Sequence, residues 1–255
     1  VIKHLKRVAK SLRYKPPRFR DLAYQVIPVS NLLYQENVHP GLEISLLPKE
    51  LLAINSNENS LEFAAASVLD RIVLAALFRK YKPLKLFEIG TFRGVTAVTM
   101  AANALPTSIL YTLDLPKELD AKSIASKFYS DNPNSGFHQL ASVGVSRDVG
   151  ILLENYQGLC CIEQIYDNSA EMDFAPFQGE IDFFFVDGCH TYDMAKKDTL
   201  TAWQCLKNDG IIVWHDFPWS SVQSAIRDAR LDTTITFVQD TNIAFAQKQV
   251  KTNLS

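Results

Sequence analysis

Short, nearly continuous apolar runs alternate along most of this chain with stretches whose apolar residues recur at helical spacing. Residues 84–89, 109–113, 159–166, 181–186 and 211–214 read as buried strands, being brief, apolar and closed by turn residues. Between them lie helices. In 61–81 the residues Leu61, Ala65, Val68, Leu69, Ile72, Leu74, Ala75 and Phe78 mark one face, with Asn59 or Ser60 as the expected cap. Further helices are predicted over 95–105, 117–129, 194–206 with Trp203 facing inward, and 221–229. Two β-rich runs, 233–238 and 243–246, come next at close range and are expected to pair as an antiparallel hairpin. The pattern predicts an α/β protein: a Rossmann-like, doubly wound sheet of seven strands whose last strand is antiparallel.

Residues 1–60 depart from this alternation. The first twenty carry eight Lys or Arg and no acid, so the formal charge of −2 conceals an acidic remainder. Ile2, Leu5, Val8 and Leu12 recur at helical spacing among those cations, which predicts a basic amphipathic helix. Such a helix fits an anionic membrane surface or an acidic partner, and equally the acidic body of its own chain. Pro16 and Pro17 close it, and Pro28, Pro40 and Pro48 divide the rest of the segment into short pieces. The division expected is a basic helical N-terminal extension or cap, 1–60, and one domain, 61–255.

Composition narrows the class further. With 47% hydrophobic and 21% charged positions, 255 residues suffice for a full α/β core. Charges interrupt every apolar stretch well short of a membrane span, and no clean apolar core succeeds the basic segment as a secretory signal requires. Cys160, Cys161, Cys189 and Cys205 form no metal-knuckle spacing, so a reducing cytoplasm is the expected setting. Basic residues cluster only at the front, and nucleic acid is not an expected partner. Residues 130–158 form an excursion longer than a minimal fold needs, and are expected to face a substrate.

The candidate chemistry lies at strand ends. Glu88-Ile89-Gly90-Thr91-Phe92-Arg93-Gly94 places two glycines where the first central strand turns into a helix, letting a ligand approach the backbone. A purely structural turn would look the same. Too few glycines are present for a pyrophosphate fingerprint, and the acid before Gly90 suits a cationic ligand. Asp114, twenty residues after Gly94, ends the second strand where a carboxylate can take both ribose hydroxyls or simply cap a turn. Asp187-Gly188-Cys189-His190-Thr191-Tyr192 and Trp214-His215-Asp216-Phe217 end adjacent strands, so Asp187, His190, His215 and Asp216 are expected to converge. These side chains suit a divalent ion, proton transfer, or the satisfaction of nearby backbone groups.

On those motifs, about two thirds of the chain resembles the class I S-adenosylmethionine-dependent methyltransferases. The two Asp/His segments resemble the methyltransferase-24 subgroup, which includes macrocin-type sugar O-methyltransferases and is distantly similar to catechol O-methyltransferase. The resemblance implies that Glu88, Gly90, Thr91 and Gly94 line the methionine part of S-adenosylmethionine, that Asp114 holds the ribose, and that Asn168 and Ser169 lie near the adenine. It also implies that Asp187, which adjoins the cofactor, binds Mg²⁺ or a similar cation with His215 and Asp216. His190 then becomes the first choice for general base, with His215 the second. Asn168 stands where the subgroup usually has Asp, and Asp209-Gly210 replaces a usual Gly-Gly turn.

The activity expected is methyl transfer to a hydroxyl of a small-molecule or sugar acceptor, possible homo-oligomerisation included. A catalytically degenerate cofactor-binding module and a nicotinamide-dependent oxidoreductase are the alternatives; the antiparallel ending counts against the latter.

Overall fold

The computed structural model describes residues 24–28, 66–119, 121–128 and 148–249. The expected basic helix in 1–20 and residues 130–147 of the 130–158 excursion lie outside the described residues. Five parallel strands form one side of the sheet, ending at an edge in β4: β2 (Lys85–Ile89), β3 (Ile109–Asp114), β4 (Cys161–Tyr166), β5 (Ile181–Val186) and β6 (Leu206–Trp214). Then β7 (Ile235–Gln239) and β8 (Ala244–Gln247) form the hairpin, with β8 antiparallel to both β6 and β7. One more strand, β1 (Tyr24–Pro28), lies parallel to β7 at the edge. The order is β1-β7-β8-β6-β5-β2-β3-β4. The seven expected strands are therefore joined by an eighth, from the stretch read as a helical extension.

Strand periodicity explains the layers. In β5 the side chains of Phe183 and Phe185 enter one core and that of Phe184 enters the other. On the first face pack helices α1 (Val68–Tyr81) and α2 (Val95–Asn103), through Val73, Leu77, Phe78, Ala97 and Met100. A third helix, α3 (Ala121–Phe128), comes after β3. On the other face α4 (Tyr192–Cys205) and α5 (Ser220–Ala229) contribute Ala195, Ala202, Val222 and Ile226, with Trp203 partly buried against them. Both faces being covered, the strands need no polar side, which is why they read as unbroken apolar runs.

Two boundaries differ from the sequence reading. Within the described residues α1 begins at Val68, where Ser67 accepts from the Asp70 N–H and the Asp70 carboxylate accepts from the Ser67 N–H. This capping box replaces the expected start near residue 60. β6 is longer than 211–214, because α4 passes directly into it at Leu206 and an irregularity around Asp209 (φ 63°) restores its register with β5. No helix among the described residues is long and apolar enough to cross a membrane.

The chain reverses its direction of winding between β2 and β5. The carboxyl ends of these two strands open into the crevice where an open α/β sheet binds its ligands.

Candidate active site

Gly90 leaves the end of β2 with φ 104°, and its N–H donates to the Leu113 carbonyl. A Cβ there would stand 2.0 Å from the Asp187 carbonyl oxygen, so only glycine lets β2 and the loop after β5 lie so close. The turn continues through Phe92, at φ 44°, to Gly94, at φ 92°, which opens α2. Asp114 braces it: one carboxylate oxygen accepts from the Phe92 N–H at 2.6 Å, the other from the Leu115 N–H at 2.7 Å.

The described end of the long excursion packs on the same turn. The Gly150 and Leu152 N–H groups donate to the Phe92 and Arg93 carbonyls, and Leu153 occupies the space beside Gly94. Asn168 is spent locally, its side chain accepting from the Ala170 N–H and donating to Glu171. Ser169, beside it, faces the buried Asp198 of α4, whose carboxyl is pushed up to about 6 by burial.

Two of the expected cofactor contacts are turned under the loop. Thr91 is buried with its hydroxyl against that of Thr112, and Glu88 is fully buried with its oxygens taken by the Thr96 and Thr112 hydroxyls. Burial, opposed by those hydroxyls and reinforced by Asp187 and Asp114, pushes the Glu88 carboxyl up to about 8. It is then a neutral acid at pH 7 and supports the loop from beneath. The folded protein holds this proton while an unfolded chain, near 4.5, has lost it. Glu88 therefore contributes stability that is complete below about pH 4.5 and is lost as pH rises through 8. Denaturation of wild type and Glu88→Gln at pH 5 and pH 8 should show wild type losing ground to the variant at the higher pH; a constant difference would contradict the neutral acid.

At the other lip the four expected side chains meet. His190 Nε2 lies 2.6 Å from Asp216 Oδ2 and 3.7 Å from Asp187 Oδ1. His215 Nδ1 lies 3.2 Å from Asp187 Oδ1 and 3.0 Å from Asp216 Oδ2. Burial pushes both imidazoles down, but their carboxylate neighbours prevail, raising His190 to about 10 and His215 well above its ordinary value. Asp216 is partly buried, which pushes its carboxyl up, yet His190 and His215 hold it well below the usual carboxylate range. His190 Nε2 is buried without a directed hydrogen bond, despite its short ionic contact with Asp216. Ligand atoms of Asp187, His190 and Asp216 all fall within 4.8 Å of one another. Carboxylate oxygens and imidazole nitrogens converging at these distances fit a divalent cation. The set favours Mn²⁺, Fe²⁺ or Zn²⁺ over Mg²⁺, which prefers oxygen ligands alone.

Three participants have no precedent in the sequence reading. Asp70 of α1 is fully buried with Oδ2 3.3 Å from His215 Nε2. Asn242, from the β7–β8 hairpin, donates its backbone N–H to Asp70. Trp219 sits with its ring centroid 5.1 Å from that of His190 and is half exposed, forming a rim beside the cluster. Asp70 did carry a local signal, since Ser67-x-x-Asp is a capping box, but nothing nearby in sequence points from it to His215.

A family model described as a methyltransferase domain matches residues 87–217, more than half of the chain. An O-methyltransferase from Bacillus cereus, solved in complex with SAH, superposes with a TM-score of 0.50 at 14% identity, covering 86% of this chain and 100% of that one. The O-methyltransferase TomG from Streptomyces achromogenes, involved in tomaymycin synthesis and solved with SAM, gives 0.49 at 21% identity, covering 87% and 96%. The Bacillus likeness shows a shared fold. No curated protein matches the chain.

Proposed function

Because the chain belongs to the methyltransferase family whose domain spans residues 87–217, we propose that it transfers the methyl group of S-adenosylmethionine to a hydroxyl of a small-molecule or sugar acceptor at a divalent metal centre. One observation carries this reading. The Gly90 turn is packed directly on the backbone of Asp187, so the cofactor crevice and the Asp187/His190/His215/Asp216 cluster form one continuous edge.

S-Adenosylmethionine supplies a methyl group already made electrophilic by its sulfonium, so the protein's task is placement and deprotonation. Gly90 and Gly94 give the cofactor room at the backbone. Asp114 accepts from its ribose hydroxyls while holding the Phe92 turn, and Asn168 and Ser169 flank the adenine. Asp187, Asp216 and Nδ1 of His215 would hold a divalent cation, which would lower the acceptor hydroxyl's pKa and offset the charge of the two carboxylates. With a cation held there, the two carboxylates would no longer favour the imidazolium, and His190 would take the acceptor's proton. His190 suits this role better than His215: its side chain is 29% exposed and adjoins the rim, against 9% for His215. The 1–60 segment, whose Tyr24–Pro28 joins the sheet as β1, and the 130–158 excursion would select the acceptor.

Titration calorimetry of S-adenosylhomocysteine tests the cofactor site. Asp114→Ala removes charge-assisted hydrogen bonds and releases Phe92, and affinity should fall about 10- to 100-fold, as expected from roughly 1.5–3 kcal/mol. Unchanged affinity would displace the ribose assignment. Tight binding without turnover across an acceptor panel would make the chain a non-catalytic cofactor module.

A further inference from the structure

Asp70 is the N3 residue of a helix that contributes no other side chain to the cluster, and as a cap it needs only to reach the Ser67 N–H. A capping carboxylate can do that from the surface, yet this one is fully buried, where an unpaired carboxylate is costly. Its oxygens are held by donors from three parts of the fold. Oδ1 accepts from the Asn242 N–H at 2.8 Å; Oδ2 accepts from the Ser67 N–H at 3.0 Å and lies 3.3 Å from His215 Nε2. The arrangement fixes the carboxylate, and the carboxylate faces the ring nitrogen of His215 that points away from Asp187 and Asp216.

We infer that Asp70 is a positioning residue: it keeps a hydrogen on Nε2 of His215 and thereby leaves Nδ1 as the lone-pair atom that completes the metal centre. A neutral imidazole carries its hydrogen on one nitrogen and its lone pair on the other, and the partner of the first decides which is which. At Nδ1 the neighbours are Asp187 Oδ1 at 3.2 Å and Asp216 Oδ2 at 3.0 Å, two acceptors that hold a hydrogen there until a cation displaces it. Without a partner at Nε2 the one hydrogen of the neutral ring would return to Nδ1, and His215 would close the cluster on itself as a donor and be lost as a ligand. Asp70 opposes this from the far edge of the ring. The inference rests on the metal-dependent reading, and the test separates the two.

The experiment is Mn²⁺ titration of wild type, Asp70→Asn and Ser67→Ala, monitored by calorimetry or by the electron spin resonance of free Mn²⁺. An amide cannot meet the four donors around Asp70 as the carboxylate does, so Asp70→Asn should weaken Mn²⁺ binding about 10- to 100-fold. S-Adenosylhomocysteine affinity should stay within about twofold, the resolution such titrations need to exclude one lost hydrogen bond. Ser67→Ala removes the cap but not the His215 contact; it should lower Tm and leave Mn²⁺ affinity intact. If Asp70→Asn does not fold, the wild type decides: in Zn²⁺-loaded, ¹⁵N-histidine-labelled protein, nitrogen chemical shifts should show His215 with hydrogen on Nε2 and metal on Nδ1. Hydrogen on Nδ1 in that spectrum, or Mn²⁺ affinity unaltered in Asp70→Asn, overturns the assignment of Asp70 alone. Wild type that binds neither ion overturns the metal centre and the assignment together.

Discussion

Replacing Gly90 by alanine is expected to abolish S-adenosylhomocysteine binding and to lower the melting temperature by roughly 6–12 °C, for a loss of about 3 kcal/mol in a domain of this size. Two costs combine. At φ 104° an L-residue is strained before any contact is considered. The new methyl would also stand 2.0 Å from the Asp187 carbonyl oxygen and 2.6 Å from its carbon, both main-chain atoms tied down by the Asp187 N–H bond to the Ile89 carbonyl. Relief requires β2 and β5 to part at their carboxyl ends, which carries Asp187 away from Asp216 and His215. Gly94→Ala is the internal comparison: at φ 92° it carries the same backbone strain, but its methyl meets the flexible tip of Leu153 at 3.0 Å and that side chain can move. Calorimetric melting and ligand titration of the two variants should separate them clearly. A Gly90→Ala protein that melts with wild type and binds the ligand normally would remove the close packing of the two loops from the account.

The contrast between those glycines bears on what the sequence could disclose. Both were legible as turn residues after a strand, and the central strands were legible because covering both faces of a parallel sheet leaves uninterrupted apolar runs. That Gly90 meets backbone and Gly94 a side chain depends on Asp187 and Leu153, which are brought there by the fold. The same limit explains the other gaps. Tyr24–Pro28 is a mixed five-residue segment that becomes a strand only against β7, as the Gln25 to Thr236 side-chain bond across 211 positions illustrates. Glu88 reads as an acid suited to a cationic ligand until Thr96 and Thr112 are seen to enclose it. His215, Asp216, Asp187 and His190 were found together because each lies at or just beyond a strand end, and strand ends share one edge. Asp70 joins them from a helix 145 positions away, through a contact that periodicity does not encode.

The second large effect falls on His190. His190→Gln should reduce kcat by about 10²- to 10⁴-fold, the usual share of a positioned general base, while leaving S-adenosylhomocysteine and Mn²⁺ affinities near those of wild type. The division comes from the two imidazoles' surroundings. His215 is held on one edge by Asp70 and faces Asp187 and Asp216 with the other, so both of its nitrogens are committed. His190 has its Nε2 buried against Asp216, and the rest of its ring, beside Trp219, is the part of the cluster open to an entering acceptor. Substituting glutamine keeps a polar group at the rim but cannot accept and release a proton near neutral pH. His215→Gln should show the reverse signature, with Mn²⁺ affinity lost first and turnover falling as a consequence. If His190→Gln is instead the variant that no longer binds Mn²⁺, His190 is the third ligand with Asp187 and Asp216, and the proton must leave the acceptor by another route. Turnover and metal titration on the same two preparations decide between these assignments, because a base and a ligand cannot fail in the same order.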